Sequence, residues 1–130
     1  MTIEEIRSHL DALGIASRLD NDRDLIINLR ADELFPYLIV VCVMAETDRR
    51  ISFMASAPDY RAAGDLLALC NRHNASRYIP AAVVREGKLR FEYSYIVSGD
   101  VSPEFVRYDC ILHTINCIRD SFANFESEQI

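Results

Sequence analysis

From Leu89 to Val97 every second residue is aliphatic or aromatic: Leu89, Phe91, Tyr93, Tyr95 and Val97. Side chains of a strand alternate between faces, so a period of two places all five on one side of a sheet. A face that apolar has to be covered, and helical stripes elsewhere in the chain supply the cover. Ile3, Ile6, Leu10 and Leu13 recur at helical spacing behind Thr2 and Glu5, a capping-box pair, with Gly14 as the stop. Near the other end Tyr108, Ile111, Ile115, Ile118, Phe122 and Phe125 form a second stripe, opened by Ser102 as N-cap and Pro103 at the first helical position. A helix between them is expected to start at Pro58 with Asp59 as N-cap, to bury Ala63, Leu66, Leu67 and Cys70, and to end near Asn74.

The remaining segments read as strands. Ile15 to Leu19 is a short one, and Asp20-Asn21-Asp22 turns the chain into Leu25 to Leu29. Tyr37 to Ala45, with Ile39, Val40, Val41 and Val43, reads as a central strand buried on both faces. Glu46-Thr47-Asp48 joins it to Arg50 to Ser56, where Ile51, Phe53 and Ala55 alternate with polar or flexible residues. Tyr78 to Val84 is a strand that Pro80 assigns to an edge or a bulge, and Glu86-Gly87 turns it into the Leu89 strand. The order is α-β-β-β-β-α-β-β-α with hairpins between successive strands. The expected fold is therefore α+β: a mainly antiparallel, twisted sheet of five to six strands with three helices, forming one domain over residues 1–130.

Charge and cysteine usage exclude several functions. The chain has 20 acidic and 14 basic residues, net −6; Lys88 is the single lysine, and no window concentrates arginine. Phosphate neutralisation needs clustered cations, so nucleic acid is not an expected partner. The longest apolar run, Leu38 to Ala45, falls far short of the roughly twenty residues a membrane helix needs. The start, Met1-Thr2-Ile3-Glu4-Glu5, is polar and acidic where a signal peptide would be basic and then apolar. Cys42, Cys70, Cys110 and Cys117 form no Cys-x-x-Cys pair and lie in apolar segments, as reduced core thiols of a cytoplasmic protein would.

No catalytic set assembles from the pattern. Cys110, His113 and Cys117 fall on one flank of the last helix and carry the ligand types zinc prefers, but structural zinc sites draw on paired cysteines in turns. Cys70 with His73, and Cys110 with His113, stand three residues apart, yet both cysteines lie too far along their helices for the dipole to favour a thiolate. Asp20-Asn21-Asp22-Arg23-Asp24 begins like a calcium loop, but Leu25 and Ala31 stand where glycine and glutamate are required. No metal, cofactor or enzymatic activity is expected. Asn71 and Asn74 lie at a helix end beside the Tyr78 strand, where amides bond loose carbonyls or hold a peptide backbone.

Leu69-Cys70-Asn71-Arg72-His73-Asn74, Tyr78, Glu86-Gly87-Lys88-Leu89-Arg90-Phe91-Glu92 and Gly99-Asp100-Val101-Ser102 together resemble the YbjN family of bacterial proteins. That family has a Leu-Asn-x-x-Asn helix end, an Asp-Gly type turn, a strand, and a Gly-Val-Ser opening to the last helix. This chain carries His73 where the family often has tryptophan, and Gly99-Asp100 where it often has two glycines. The resemblance implies the fold of type III secretion chaperones, commonly dimeric, and a role in sensory-transduction regulation. The resulting expectation is a non-enzymatic protein-binding module, chaperone-like or regulatory, acting as a homodimer. Its contacts with another protein are expected at Asn71, Asn74, Tyr78, Ile79, Phe91, Tyr93 and Tyr95. The alternative is a small-molecule or metal-binding protein using the Cys110, His113 and Cys117 flank.

Overall fold

A computed structural model describes residues 1–47, 49–77, 79–97 and 100–127, with residues 126 and 127 described by their backbone alone. Helix α1 (Ile3–Ala12) opens as its capping residues require: the Thr2 hydroxyl accepts the Glu5 N–H at 3.2 Å. It closes in a Schellman turn. Gly14, at φ +73°, donates to the Asp11 carbonyl at 3.0 Å, and Ile15 donates to Leu10 at 2.9 Å. Six strands follow in one antiparallel sheet: β1 (Arg18–Leu19), β2 (Leu25–Leu29), β3 (Ile39–Thr47), β4 (Arg50–Ser56), β5 (Ala81–Arg85) and β6 (Lys88–Ile96). Their spatial order is β1-β2-β3-β4-β6-β5, so β1 and β5 are the edges. Helix α2 (Leu66–Ser76) lies between β4 and β5 in sequence, and a π-helical segment, Phe105–Leu112, runs directly into α3 (His113–Ser127).

The expected α-β-β-β-β-α-β-β-α order is the observed one. The turns form as their residues dictate. Asp20 Oδ1 accepts the N–H groups of Asp22 and Asp24, both at 2.9 Å, and Glu86 and Gly87 take φ +54° and +77° at the tip of the β5–β6 hairpin. The Asp48, Tyr78, Ser98 and Gly99 portions of the expected turns and strands lie outside the described residues.

The core lies on one side of the sheet. Leu25, Ile27, Ile39, Val41, Val43, Ile51, Phe53, Ala55 and Phe91 are fully buried there with Ile6, Leu10, Ile118, Phe122 and Phe125 of the helices. Phe91 is the hub: it meets Phe122 edge-on at 4.7 Å and Phe125 at 6.0 Å between ring centroids. The helices cover this face alone, so β3 is not buried on both sides as its run of valines suggests. Val40, Cys42 and Met44 alternate with the core residues and remain half-buried.

Two helical expectations are corrected. Helix α2 begins after Asp65, not Asp59, and the Asp65 carboxylate accepts the Ala68 N–H at 3.4 Å. Tyr60 explains the delay: its ring is drawn into the core beside Phe35 and Tyr37, at 5.2 and 5.5 Å, which keeps the chain irregular there. The buried residues are accordingly Leu69, Cys70 and His73, while Leu67 is 64% exposed and Ala63 is exposed. In the last helix the buried stripe starts at Val106 and Cys110, and Tyr108 is half-exposed. The wider π turn is the cause. The His113 N–H reaches the Tyr108 carbonyl five residues back, so a stripe extrapolated at 3.6 residues per turn runs out of phase.

Candidate functional site

Helix α2 ends against the edge strand β5 and binds it through side chains. The Ala82 N–H donates to Asn74 Oδ1 at 2.8 Å, and Asn74 Nδ2 donates to the Ala82 carbonyl at 2.9 Å. One residue earlier, His73 Nε2–H donates to the Pro80 carbonyl at 2.9 Å; a carbonyl can only accept, which fixes the proton on Nε2. The buried His73 ring also packs 5.0 Å from Phe91. The expectation that Asn74 holds a partner's backbone is therefore corrected: its amide is taken by this chain's own edge. Asn71, one helical turn earlier, is exposed.

The other expected contacts divide. Phe91 is 0% exposed beneath α3 and offers no surface to a partner, so it is a core residue. Ile79 is half-buried just before β5, and Tyr78 lies outside the described residues. Tyr93 and Tyr95 share the helix-side face of β6 with Leu89 and Phe91 but are only half-buried. Their rings meet at 4.9 Å and 69°. Tyr95 also stacks edge-on with Phe53 at 6.4 Å and donates its hydroxyl to the Asp109 carbonyl at 3.5 Å; burial pushes its phenol pKa up.

The opposite face of the sheet carries Ile26, Val40, Cys42, Met44 and Met54, all half-buried. Their neighbours on that face are Ser52, Arg90, Glu92 and the 75%-exposed Ile96. Ser52 and Ser94 face one another across β4 and β6 with their hydroxyls 2.8 Å apart. The alternation in β3 and β4 already encodes this face; reading β3 as doubly buried concealed it.

Cys110, His113 and Cys117 do not converge. Cys110 is buried, whereas His113 and Cys117 pair on the surface with Nε2 and Sγ 3.5 Å apart. All four cysteines are free thiols, and burial pushes each pKa up, Cys42 to about 11, so none is favoured as a thiolate nucleophile or ligand. The one His/Cys/Asp/Glu group that gathers among the described residues is Asp20, Asp24 and Cys42, with ligand atoms within 4.8 Å. Asp20 is already occupied there in closing the turn.

The model of the YbjN family, described as "putative bacterial sensory transduction regulator", matches residues 2–124. No curated protein matches the chain. No helix among the described residues is long and apolar enough to cross a membrane.

Proposed function

The chain belongs to the YbjN family, and from that premise we propose that it is a non-enzymatic regulatory adaptor of the bacterial cytoplasm, acting as a homodimer that binds another protein. The observation that carries this reading is the sheet covered by helices on one face only. The half-buried Ile26, Val40, Cys42, Met44 and Met54 form the opposite, apolar face, which a second copy would cover. Partner contacts are assigned to Asn71, Ile79, Tyr93 and Tyr95, where aromatic area is available at low entropic cost. The four free thiols fit a reducing compartment.

Light scattering tests the dimer. The wild type should scatter at twice its 14.8 kDa chain mass, and Met44→Arg, which places a charge in that face, at the single mass with unchanged circular dichroism. A monomeric wild type would overturn the homodimer. Tyr93→Ala with Tyr95→Ala should weaken capture of the partner while the fold persists; unchanged capture would remove the tyrosines from the contact set.

A further inference from the structure

The sheet has a gap. Strand β6 pairs with β5 from Lys88 to Glu92, but with β4 only from Phe91 to Ile96, because β4 leaves the sheet after Ala55 and Ser56. Residues 88–90 therefore have a neighbour on one side only. The ladder alternation fixes which groups face the gap. Ala82 spends its backbone groups on Asn74, so its opposite residue Phe91 bonds towards β4, and Leu89, two residues away, points the same way. Past Ala55 no strand among the described residues meets the Leu89 N–H.

A cleft of about 270 Å³ occupies this gap, walled by Ser56 to Pro58, the Tyr60 to Leu66 loop and the β5–β6 hairpin. Its lining is strongly cationic for a chain of net charge −6: Arg61, Arg85, Lys88 and Arg90 against the single carboxylate of Glu86. Arg85, Lys88 and Arg90 share the helix-free face, because Arg85 opposes Lys88 across the hairpin and Arg90 lies two residues on. Arg61 comes from the loop and is held there by Nη1, which donates to the Pro58 and Tyr60 carbonyls at 2.9 and 2.8 Å. Glu92 ties Arg85 from both its oxygens at 3.2 Å and lies 3.8 Å from Arg90. Lys88 has no partner among the described residues. Ala57, Pro58, Leu66 and Leu89 supply an apolar wall.

We propose that this cleft binds a small molecule with a phosphate or carboxylate head and a compact apolar body. Like charges held together in a cleft are relieved by an anion, and guanidinium forks match both head groups. Leu89 also lines the cleft, and its N–H adds a backbone donor. The volume of about 270 Å³ lies just below the usual range for ligand sites, roughly 300 Å³ and upwards, which excludes a large cofactor. The site lies apart from the tyrosines but adjoins the aliphatic face, since Arg90 shares that face and donates to Met54 Sδ at 3.7 Å. Anion binding is read independently of the oligomeric state, so the two proposals fail separately.

The test is an NMR titration of the full chain with inorganic phosphate and, separately, succinate, with chloride at matched ionic strength as the control. Saturable shifts should appear at the amides of Gly87 to Arg90 and at the Arg61 Nε–H. Lys88→Ala should weaken them by about tenfold, and Arg61→Ala combined with Lys88→Ala should abolish them, with the core amides unmoved. Tighter binding of phosphate identifies a phosphorylated ligand and tighter binding of succinate a carboxylate. Shifts reproduced by chloride, absent with both probes, or unchanged in the double variant would overturn the site.

Discussion

Asn74 and Ala82 form a two-bond pair across the edge of the sheet, Oδ1 accepting at 2.8 Å and Nδ2 donating at 2.9 Å. The side-chain amide takes the place of a neighbouring strand, exchanging both bonds with one residue as antiparallel partners do. An edge strand invites other chains to pair with it, and α2 thus blunts β5 at its first half. Asn74→Ala should lower stability by about 1–3 kcal/mol and promote self-association, read by denaturant midpoint and light scattering. Asn74→Asp places a second oxygen against the Ala82 carbonyl, and its penalty should shrink as the carboxyl is protonated. A loss independent of pH would refute the two-bond role.

His9 and Arg107 join the first helix to the π-helical segment, 98 residues away, through a bond from Arg107 Nε to His9 Nδ1 at 3.2 Å. His9 is buried, and its pKa is held below the ordinary 6.5, first by burial and then by the Arg107 charge, with Glu5 opposing. Above 6.5 neither state is protonated and the contribution is fully present. As pH falls through 6.5 towards the lower folded value, the unfolded chain binds its proton first and stability is lost. His9→Asn retains an acceptor without the titration and should flatten the slope measured about one pH unit either side of 6.5. An unchanged slope would assign the effect to other groups.

Ser121 is fully buried with its hydroxyl unpartnered among the described residues. Ser121→Ala removes a desolvated polar group and adds helix propensity, so the midpoint of thermal unfolding should rise, by a gain of about 1 kcal/mol. A destabilised variant would mean that the hydroxyl holds a bond in solution.

Phe91 and Tyr93 are neighbours on one face of β6, but only Phe91 is sealed beneath Phe122 and Phe125. Phe91→Ala should remove about 3–5 kcal/mol by opening a cavity, and Tyr93→Ala clearly less, because half-exposed side chains lose less transfer energy. Equal losses in chemical denaturation would contradict the difference in burial between the two rings.

Much of the fold was legible because local rules and tertiary packing agree. The period-two run from Leu89 to Val97, the Glu86-Gly87 turn, the Thr2 cap and Gly14 all appear where their chemistry places them. The misreadings fall where packing overrides local pattern. Tyr60 is pulled inward and delays α2, and the π turn carries Tyr108 out of the buried stripe. His73 reads as polar and yet is buried, because the bond to Pro80 satisfies it.

The candidate site was less legible for a related reason. Phe91 and Tyr93 have the same pattern and differ in burial, which no periodicity encodes. Arg61 lies outside the hairpin in sequence, and the cleft exists because β4 turns away while β6 continues. Hydrophobic period, turn residues and caps act over a few positions, and by themselves they determined that this chain folds as an antiparallel sheet with helices upon it. Which strand ends first, which face stays open and which distant cations meet depend on how whole elements pack, and only the tertiary structure decided them.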